Sequence, residues 1–331
     1  MPSAAHKKKS QNKKKPQPQP PKPVQPKPQQ PQAPVQPKPV EPAKPAAPRD
    51  LVDPAVVKDA DTKALDPYAY KKNDRAAKLY GPNGIQALDV RQGAIGDCFL
   101  AAALAAVAGS RPDAIKNAIK DNADGTYTVR FYELDWAGNK TVHAETVDAD
   151  LPHSGETPAY AKSTEVVEGK QWMELWPSIL EKAYANWKGS YDAIGHGGVS
   201  GDVMQALTGE KGKYQKTAGV GENDALWTKM KGASDAKKPM TAGSGGEEDP
   251  RYKDASAGVY GWHAYTVMGV EETKVGDKTE KFVIMRNPWG KRRRDADAAK
   301  VGDTTNSTAG GVFKLSWSEF RRLYDDVTVS G

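Results

Sequence analysis

"RQGAIGDCFLAAALAAVAG" spans Arg91–Gly109 and holds Cys98, the only cysteine in 331 residues. Gly93 and Gly96 permit a tight turn ahead of it. The run that follows is apolar nearly all round, which reads as a buried helix starting near Cys98, with Asp97 placed to cap it. A thiol in such a place is either a small core residue or a nucleophile. At a helix N-terminus the dipole and the unpaired amides favour the thiolate, so a lowered pKa is expected for Cys98.

A nucleophilic cysteine needs a base, and the base needs an orienting partner. Of the five histidines, His6 lies in the N-terminal tail, His143 and His153 in or after a predicted hairpin, and His196 in a glycine loop. Only His263 opens an apolar strand, GWHAYTVMGV. The next predicted strand ends in RNPWG, which supplies Asn287. If the two strands pair, His263 and Asn287 meet at one edge. The asparagine oxygen can then accept the imidazole N–H and fix its tautomer, with Trp289 covering the bond. Gln92, across the glycine turn from Cys98, is the candidate second donor of an oxyanion hole beside the Cys98 backbone N–H.

Elsewhere the pattern predicts a helix over Arg111–Asp121, a hairpin from GTYTVRFYEL and KTVHAETVD, and an amphipathic helix over Gln171–Gly189. A glycine loop, GHGGVSGD, leads into a helix that Ser200 or Asp202 could cap. A short helix over DALWTKMKGA and a long loop over Pro239–Gly261 come next. The strands HAYTVMGVEE, KFVIMRNPWG and GVFKLSW follow, with a closing helix SWSEFRRLYDD. A helix-rich half followed by a strand-rich half implies two lobes with a cleft between them.

The first 50 residues differ in kind. They carry ten Lys and one Arg against Glu41 and Asp50, a net of +9, whereas the whole chain is +6. The basic character thus belongs to this segment. Rich in Pro, Lys and Gln, it cannot bury enough apolar surface to fold and reads as a disordered spacer. Its lysine triplets could also contact nucleic acid, an anionic membrane surface or an acidic partner. No stretch reaches the ~18 apolar residues of a membrane span, and no secretory signal is evident. A cytoplasmic chain is the expectation, since a reducing compartment suits a free thiol.

Taken together, QGAIGDCFLAAALAAVA, LWPSILEKAYANWKGSYDAI, GWHAYTVMGV, RNPWG and GVFKLSWSEFRRLYDD resemble consecutive motifs of the calpain cysteine-protease core. They run in family order from about Tyr80 to Val327. The resemblance implies an α+β, papain-like fold in two catalytic subdomains, taken as residues 51–209 and 210–331 after the tail of residues 1–50. It also implies thiol endopeptidase activity on protein or peptide substrates. Cys98, His263 and Asn287 match the catalytic triad, Gln92 the oxyanion glutamine, and Trp289 the shielding tryptophan. Gly197 and Gly198 match the family's glycine loop beside the substrate backbone, with one residue inserted. Phe99 stands where the family usually has tryptophan.

The same resemblance implies a single Ca²⁺ in the first subdomain, held by the carbonyls of Pro82 and Gly84 and the carboxylates of Asp89 and Glu181; the thiol chemistry itself requires no cofactor. In the second subdomain the corresponding positions are Arg293, Gly310 and Val312, which offer no carboxylate. Two other readings stay open at this level: a non-catalytic binding protein on the same scaffold, and an acyl transferase, against which the asparagine orienter argues.

Overall fold

The buried helix over the cysteine stretch is α1, Cys98–Ser110, and every residue from Phe99 to Ala108 is buried. Alanine dominates it because both sides are packed: α5 (Ser200–Thr208) lies against one face and the strand Ala264–Val275 against another. The computed structural model describes residues 49–57, 68–72, 77–167, 170–217, 225–253, 258–291 and 310–331. Residues 1–48 of the tail, and Arg293, lie outside the described residues.

After α1 come α2 (Pro112–Ala118), α3 (Trp176–Lys188) and α4 (Tyr191–Ile194). Three three-stranded sheets accompany these helices. One joins β1 (Ala69–Lys71), β6 (Leu151–Ser154) and β7 (Thr157–Pro158). A second joins β2 (Ala77–Lys78), β9 (Lys170–Glu174) and β8 (Ser163–Val167). The third joins β3 (Ile119–Asp121), β4 (Thr126–Leu134) and β5 (Lys140–Asp148). The helix expected over Arg111–Asp121 therefore ends at Ala118, because Ile119–Asp121 pair with Tyr127–Val129 instead. The hairpin forms as read, with Thr126 opposite Asp148 and Leu134 opposite Lys140.

The amphipathic helix begins later than its periodicity suggests, since Lys170–Glu174 are strand β9. It stops where expected, at Gly189 with φ 104°, a left-handed position that suits glycine. In α5, Ser200 is already helical, and Val199 occupies the cap position without a side-chain bond, so neither Ser200 nor Asp202 caps it.

The second half is a six-stranded sheet with helices α6 (Ala225–Asp235) and α7 (Trp317–Leu323). Its strands are β10 (Gly212–Lys216), β11 (Met240–Ser244), β12 (Ala264–Val275), β13 (Lys278–Arg286), β14 (Val312–Ser316) and β15 (Tyr324–Ser330), in the order β10-β15-β11-β12-β13-β14. Two of these correct the sequence reading. Residues 240–244 fall inside the expected loop Pro239–Gly261, yet β11 is a central strand between β12 and β15. The stretch expected to close the chain as a helix stays helical only to Leu323. Its C-terminal residues then run as β15 beside β11.

Two apolar clusters result. One gathers Leu100, Leu104, Trp176, Ile179, Tyr191 and Met204 around α1, α3 and α5. The other gathers Trp227, Met230, Tyr265, Met285, Phe313 and Phe320 around the six-stranded sheet. A hydrogen bond ties α1 to that sheet, from the Thr266 hydroxyl to the Ala102 carbonyl at 2.8 Å. No single helix among the described residues is long and apolar enough to cross a membrane.

Candidate active site

Cys98 is the first residue of α1, whose opening turn is closed by Leu100 and Ala101 donating to the Asp97 carbonyl at 2.8 and 3.1 Å. Its half-buried thiol lies near the backbone amides of Ala264 and Phe99, which places it close to the residue that follows His263. The expected lowering of its pKa is corrected here. Burial pushes the thiol up, and Asp97 beside it adds to the effect, outweighing the backbone amides at the helix start. The Asp97 side chain does not cap the helix either.

The position of His263 arises from strand pairing. β12 and β13 run antiparallel with Thr266 opposite Arg286, which brings the residues just before β12 and just after β13 to one end of the hairpin. There His263 Nε2 lies 2.9 Å from Asn287 Oδ1, with both residues buried. The Asn287 oxygen accepts, so Nε2 carries the proton and Nδ1 is left as the acceptor. The same oxygen accepts the Trp289 backbone N–H at 3.0 Å. The Trp289 ring covers the imidazole, with centroids 4.4 Å apart and planes tilted by 41°.

Burial pushes His263 down to about 4, although the Asn287 bond works the other way. The consequence for stability has a definite sign. An unfolded histidine binds a proton near pH 6.5, and the folded one does not until about pH 4, so stability falls as pH drops through that window. Over the full window the loss is about 3 kcal/mol. We expect the unfolding free energy of the native chain, relative to His263→Gln, to fall by that amount between pH 7.5 and pH 4 in urea titrations. A difference independent of pH would contradict it.

Gln92 is buried, and its backbone N–H donates to the Pro288 carbonyl at 3.0 Å, which joins the turn before Cys98 to the RNPWG segment. Its side-chain Nε2 donates to the Ile95 carbonyl at 2.7 Å, leaving the second amide hydrogen for another acceptor. The glycines of the turn serve close approach rather than a special dihedral. A Cβ on Gly93 would lie 2.2 Å from the Ala159 carbonyl oxygen, and one on Gly96 2.3 Å from that of Gly195. The Gly96 carbonyl also accepts the Gly197 N–H at 2.9 Å, which fixes the glycine loop beside the turn before Cys98. Gly197 has φ 94°, and a Cβ on Gly198 would fall 2.6 Å from the Phe99 ring. Phe99 thus fills the space directly beneath that loop.

Three residues at this end were not picked out by motif. The Ser244 hydroxyl at the end of β11 donates to the Tyr260 carbonyl at 2.7 Å and accepts the His263 N–H at 3.0 Å, anchoring the histidine segment. Tyr260 packs on Trp289 with centroids 4.6 Å apart. Trp262 is 74% exposed and has φ 50°, an uncommon conformation for a non-glycine residue, immediately before His263. Only the missing strand β11 could have signalled Ser244.

The profile described as calpain family cysteine protease matches residues 71–330. The chain belongs to the calpain family. It is 30% identical over 269 residues to calpain-type cysteine protease DEK1 of Zea mays, covering 74% of this chain and 11% of that protein. With calpain-9 of Mus musculus it shares 27% over 264 residues, 74% of this chain and 36% of the relative. With the calpain-2 catalytic subunit of Rattus norvegicus it shares 24% over 308 residues, 83% and 41% respectively. The calpain-family domain therefore spans well under half the length of these relatives.

The four residues that the resemblance assigns to calcium are held as follows. Pro82 and Gly84 lie in the turn before the short 3-10 helix Ala87–Asp89, with Gly84 at φ 75°. Asp89 Oδ2 accepts the Gln86 N–H at 2.6 Å and the Trp176 indole N–H at 3.3 Å. Glu181, on α3, accepts the Ala161 N–H through both oxygens at 2.9 and 3.0 Å. It also lies beside Asp97, whose two carboxyl oxygens are buried and receive no N–H or hydroxyl. Burial raises Asp97 to about 7 and, with Asp97 as neighbour, pushes Glu181 well above the carboxylate range. Carbonyl and carboxylate oxygens are the donor type a hard dication takes, and the Asp97 oxygens beside Glu181 lack a donor. Of the positions matching the second site, Gly310 has φ 85° and Val312 opens β14.

Another group of carboxylates, Asp50, Asp148 and Asp150, is close enough to hold a cation. A cation is already there: Lys182 Nζ reaches Asp148 Oδ1 at 2.6 Å, Asp53 Oδ1 at 2.5 Å and the Asp150 carbonyl at 2.6 Å.

Proposed function

We propose that this calpain-family domain is a thiol endopeptidase in which Cys98, His263 and Asn287 form the catalytic triad. The observation that carries this reading is the His263–Asn287 hydrogen bond at one end of the β12–β13 hairpin, with the Cys98 thiol against the backbone of the residue next to His263. The imidazole Nδ1 takes the thiol proton, and the sulfur attacks the scissile carbonyl carbon. The developing oxyanion receives the Cys98 backbone N–H and the spare amide hydrogen of Gln92. His263 then gives its proton to the leaving amine as the C–N bond breaks, leaving a thioester on Cys98. Water, deprotonated by the same imidazole, hydrolyses the thioester and returns the thiol. Asn287 keeps the ring in the required tautomer throughout, and Trp289 excludes water from that bond.

Burial raises the thiol and lowers the imidazole, so both shifts work against charge separation between them. Gly197 and Gly198 would lie along the substrate backbone. Calcium, if bound, would be held by Pro82, Gly84, Asp89 and Glu181, and would supply positive charge that favours ionised Glu181. Protein or peptide substrates follow from this chemistry, and a cytoplasmic setting would keep the thiol reduced.

The test is incubation of the full chain with unfolded casein, with calcium or with chelator, followed by sequencing of the new termini. Internal cleavage products are expected, fewer with chelator. Equal rates in both arms would remove the calcium role, and no Cys98-dependent product in either would overturn the peptidase reading.

A further inference from the structure

A cleft of about 520 Å³ opens beside the proposed catalytic centre, with Gln92, Tyr260 and Trp289 among its walls. Its side of the scissile bond follows from the proton path. The leaving amine must take its proton from His263, whose ring meets Trp289, Tyr265 and Tyr260 at centroid distances of 4.4, 4.9 and 6.2 Å. Tyr265 belongs to the core of the sheet, and Trp289 and Tyr260 also wall the cleft. A cleft walled by these two rings therefore receives the chain that departs with the amine, the part of the substrate C-terminal to the cut. The glycine loop lies elsewhere, on the far side of the turn, where Gly96 pairs with His196.

The charged side chains lining the cleft are Lys162 and Lys291, and no carboxylate lines it among the described residues. Lys162 is half-buried and held in place: its backbone exchanges two 3.0 Å hydrogen bonds with Arg91, and its Nζ donates to the Pro158 carbonyl at 3.1 Å. Arg91 does not line the cleft but packs against Gly290, next to Lys291: a Cβ on Gly290 would lie 3.0 Å from its Nε. Burial and Arg91 together lower the Lys162 pKa, with Glu181 opposing them from behind. That carboxyl is already engaged with Ala161 N–H and Asp97. Glu156, on the turn between the lining residues Ser154 and Thr157, faces Lys71 at 4.0 Å. Among the described residues, Lys162 and Lys291 have no ion-pair partner and no acidic side chain lines this wall.

We infer that the cleft binds an acidic side chain, Asp or Glu, of a protein substrate within the first few residues C-terminal to the scissile bond. This rests on the endopeptidase reading above and names a substrate class for it. Lys162 and Lys291 act here as specificity residues that touch the bound carboxylate, apart from the bond-breaking groups.

The experiment uses the full chain and a library of natural peptides, with cleaved bonds identified by mass spectrometry. Matched peptides differing only in Glu or Gln after the bond then give kcat/KM. Asp and Glu are expected to be enriched after the cut, and the Glu peptide to be favoured about tenfold at low salt, the factor of one charge-assisted hydrogen bond. In 0.5 M salt the preference should narrow, because part of the site is exposed. Lys162→Gln with Lys291→Gln should bring the two peptides to within about twofold while leaving the Gln peptide's rate unchanged, and the paired Arg replacements should keep the preference. The exposed Lys291→Gln alone should reduce it by a few-fold, so a folding defect at Lys162 does not decide the matter. Cleavage without acidic preference, or with a preference untouched by the double variant, overturns this inference alone. Absence of any cleavage overturns the endopeptidase reading and this inference with it.

Discussion

Cys98→Ala is expected to reduce peptide-bond cleavage by on the order of 10⁴-fold or more, measured as kcat on a casein-derived peptide. The sulfur is the only thiol in the chain, so no second nucleophile can replace it. What remains after its removal is the oxyanion donors and the bound substrate, which accelerate attack by water alone. The substitution removes one atom from a half-buried position at a helix start, and alanine is a good helix former, so the unfolding midpoint should hardly change. Loss of activity without loss of stability is the combination that marks a nucleophile. Retention of more than about one part in a hundred of the rate would place the chemistry elsewhere.

The second large effect concerns the fold. Lys182 is 1% exposed and satisfies Asp148, itself 4% exposed, and Asp53. Asp53 belongs to the segment 49–57, which also lends Val56 and Val57 to the core cluster around α1. Lys182→Met keeps the apolar stem but leaves the two carboxylates without their cation. Breaking a buried pair in this way costs about 3–5 kcal/mol, because an uncompensated charge stays behind. Urea unfolding should show this loss, whereas Lys231→Met, which removes an exposed pair with Asp235, should stay within about 0.5 kcal/mol. A Lys182→Met loss under about 1 kcal/mol would mean that the carboxylates find water or protons instead.

The parts of this fold that sequence makes legible are those whose signal is local. The hairpin of β4 and β5 shows in its alternation, and the buried nature of α1 in an unbroken apolar run. The meeting of His263 with Asn287 required only that two consecutive strands pair, the commonest outcome for neighbours in sequence. β11 escaped because, after Met240, TAGS is built of small residues, for a reason visible only in three dimensions. Gly243 faces Asp326 so closely that a Cβ would come within 2.7 Å of its carboxylate. β15 escaped because Arg321–Asp326 continues a helical rhythm, while its pairing partner, β11, lies some eighty residues earlier.

The electrostatics were legible in part. A helix N-terminus does present amides to Cys98, but burial and Asp97 decide the direction of its shift. Asp97 in turn meets Glu181, which lies on a different helix, and no spacing rule joins residues so far apart in sequence. Glycine at 93 and 96 is legible in the sequence as a turn signal, but what requires it is the approach of the Ala159 and Gly195 carbonyls.

The most direct measurement of the central claim is covalent labelling with an epoxysuccinyl peptide, read as adduct mass and mapped by peptide, with calcium and with chelator. Because Cys98 is the sole cysteine, any thiol adduct reports on it alone. The account predicts a single adduct on Cys98 in the native chain, none in Cys98→Ala, and much slower formation in His263→Ala, where the proton acceptor is gone. A native chain unlabelled in both conditions, or labelled equally fast without His263, would contradict it.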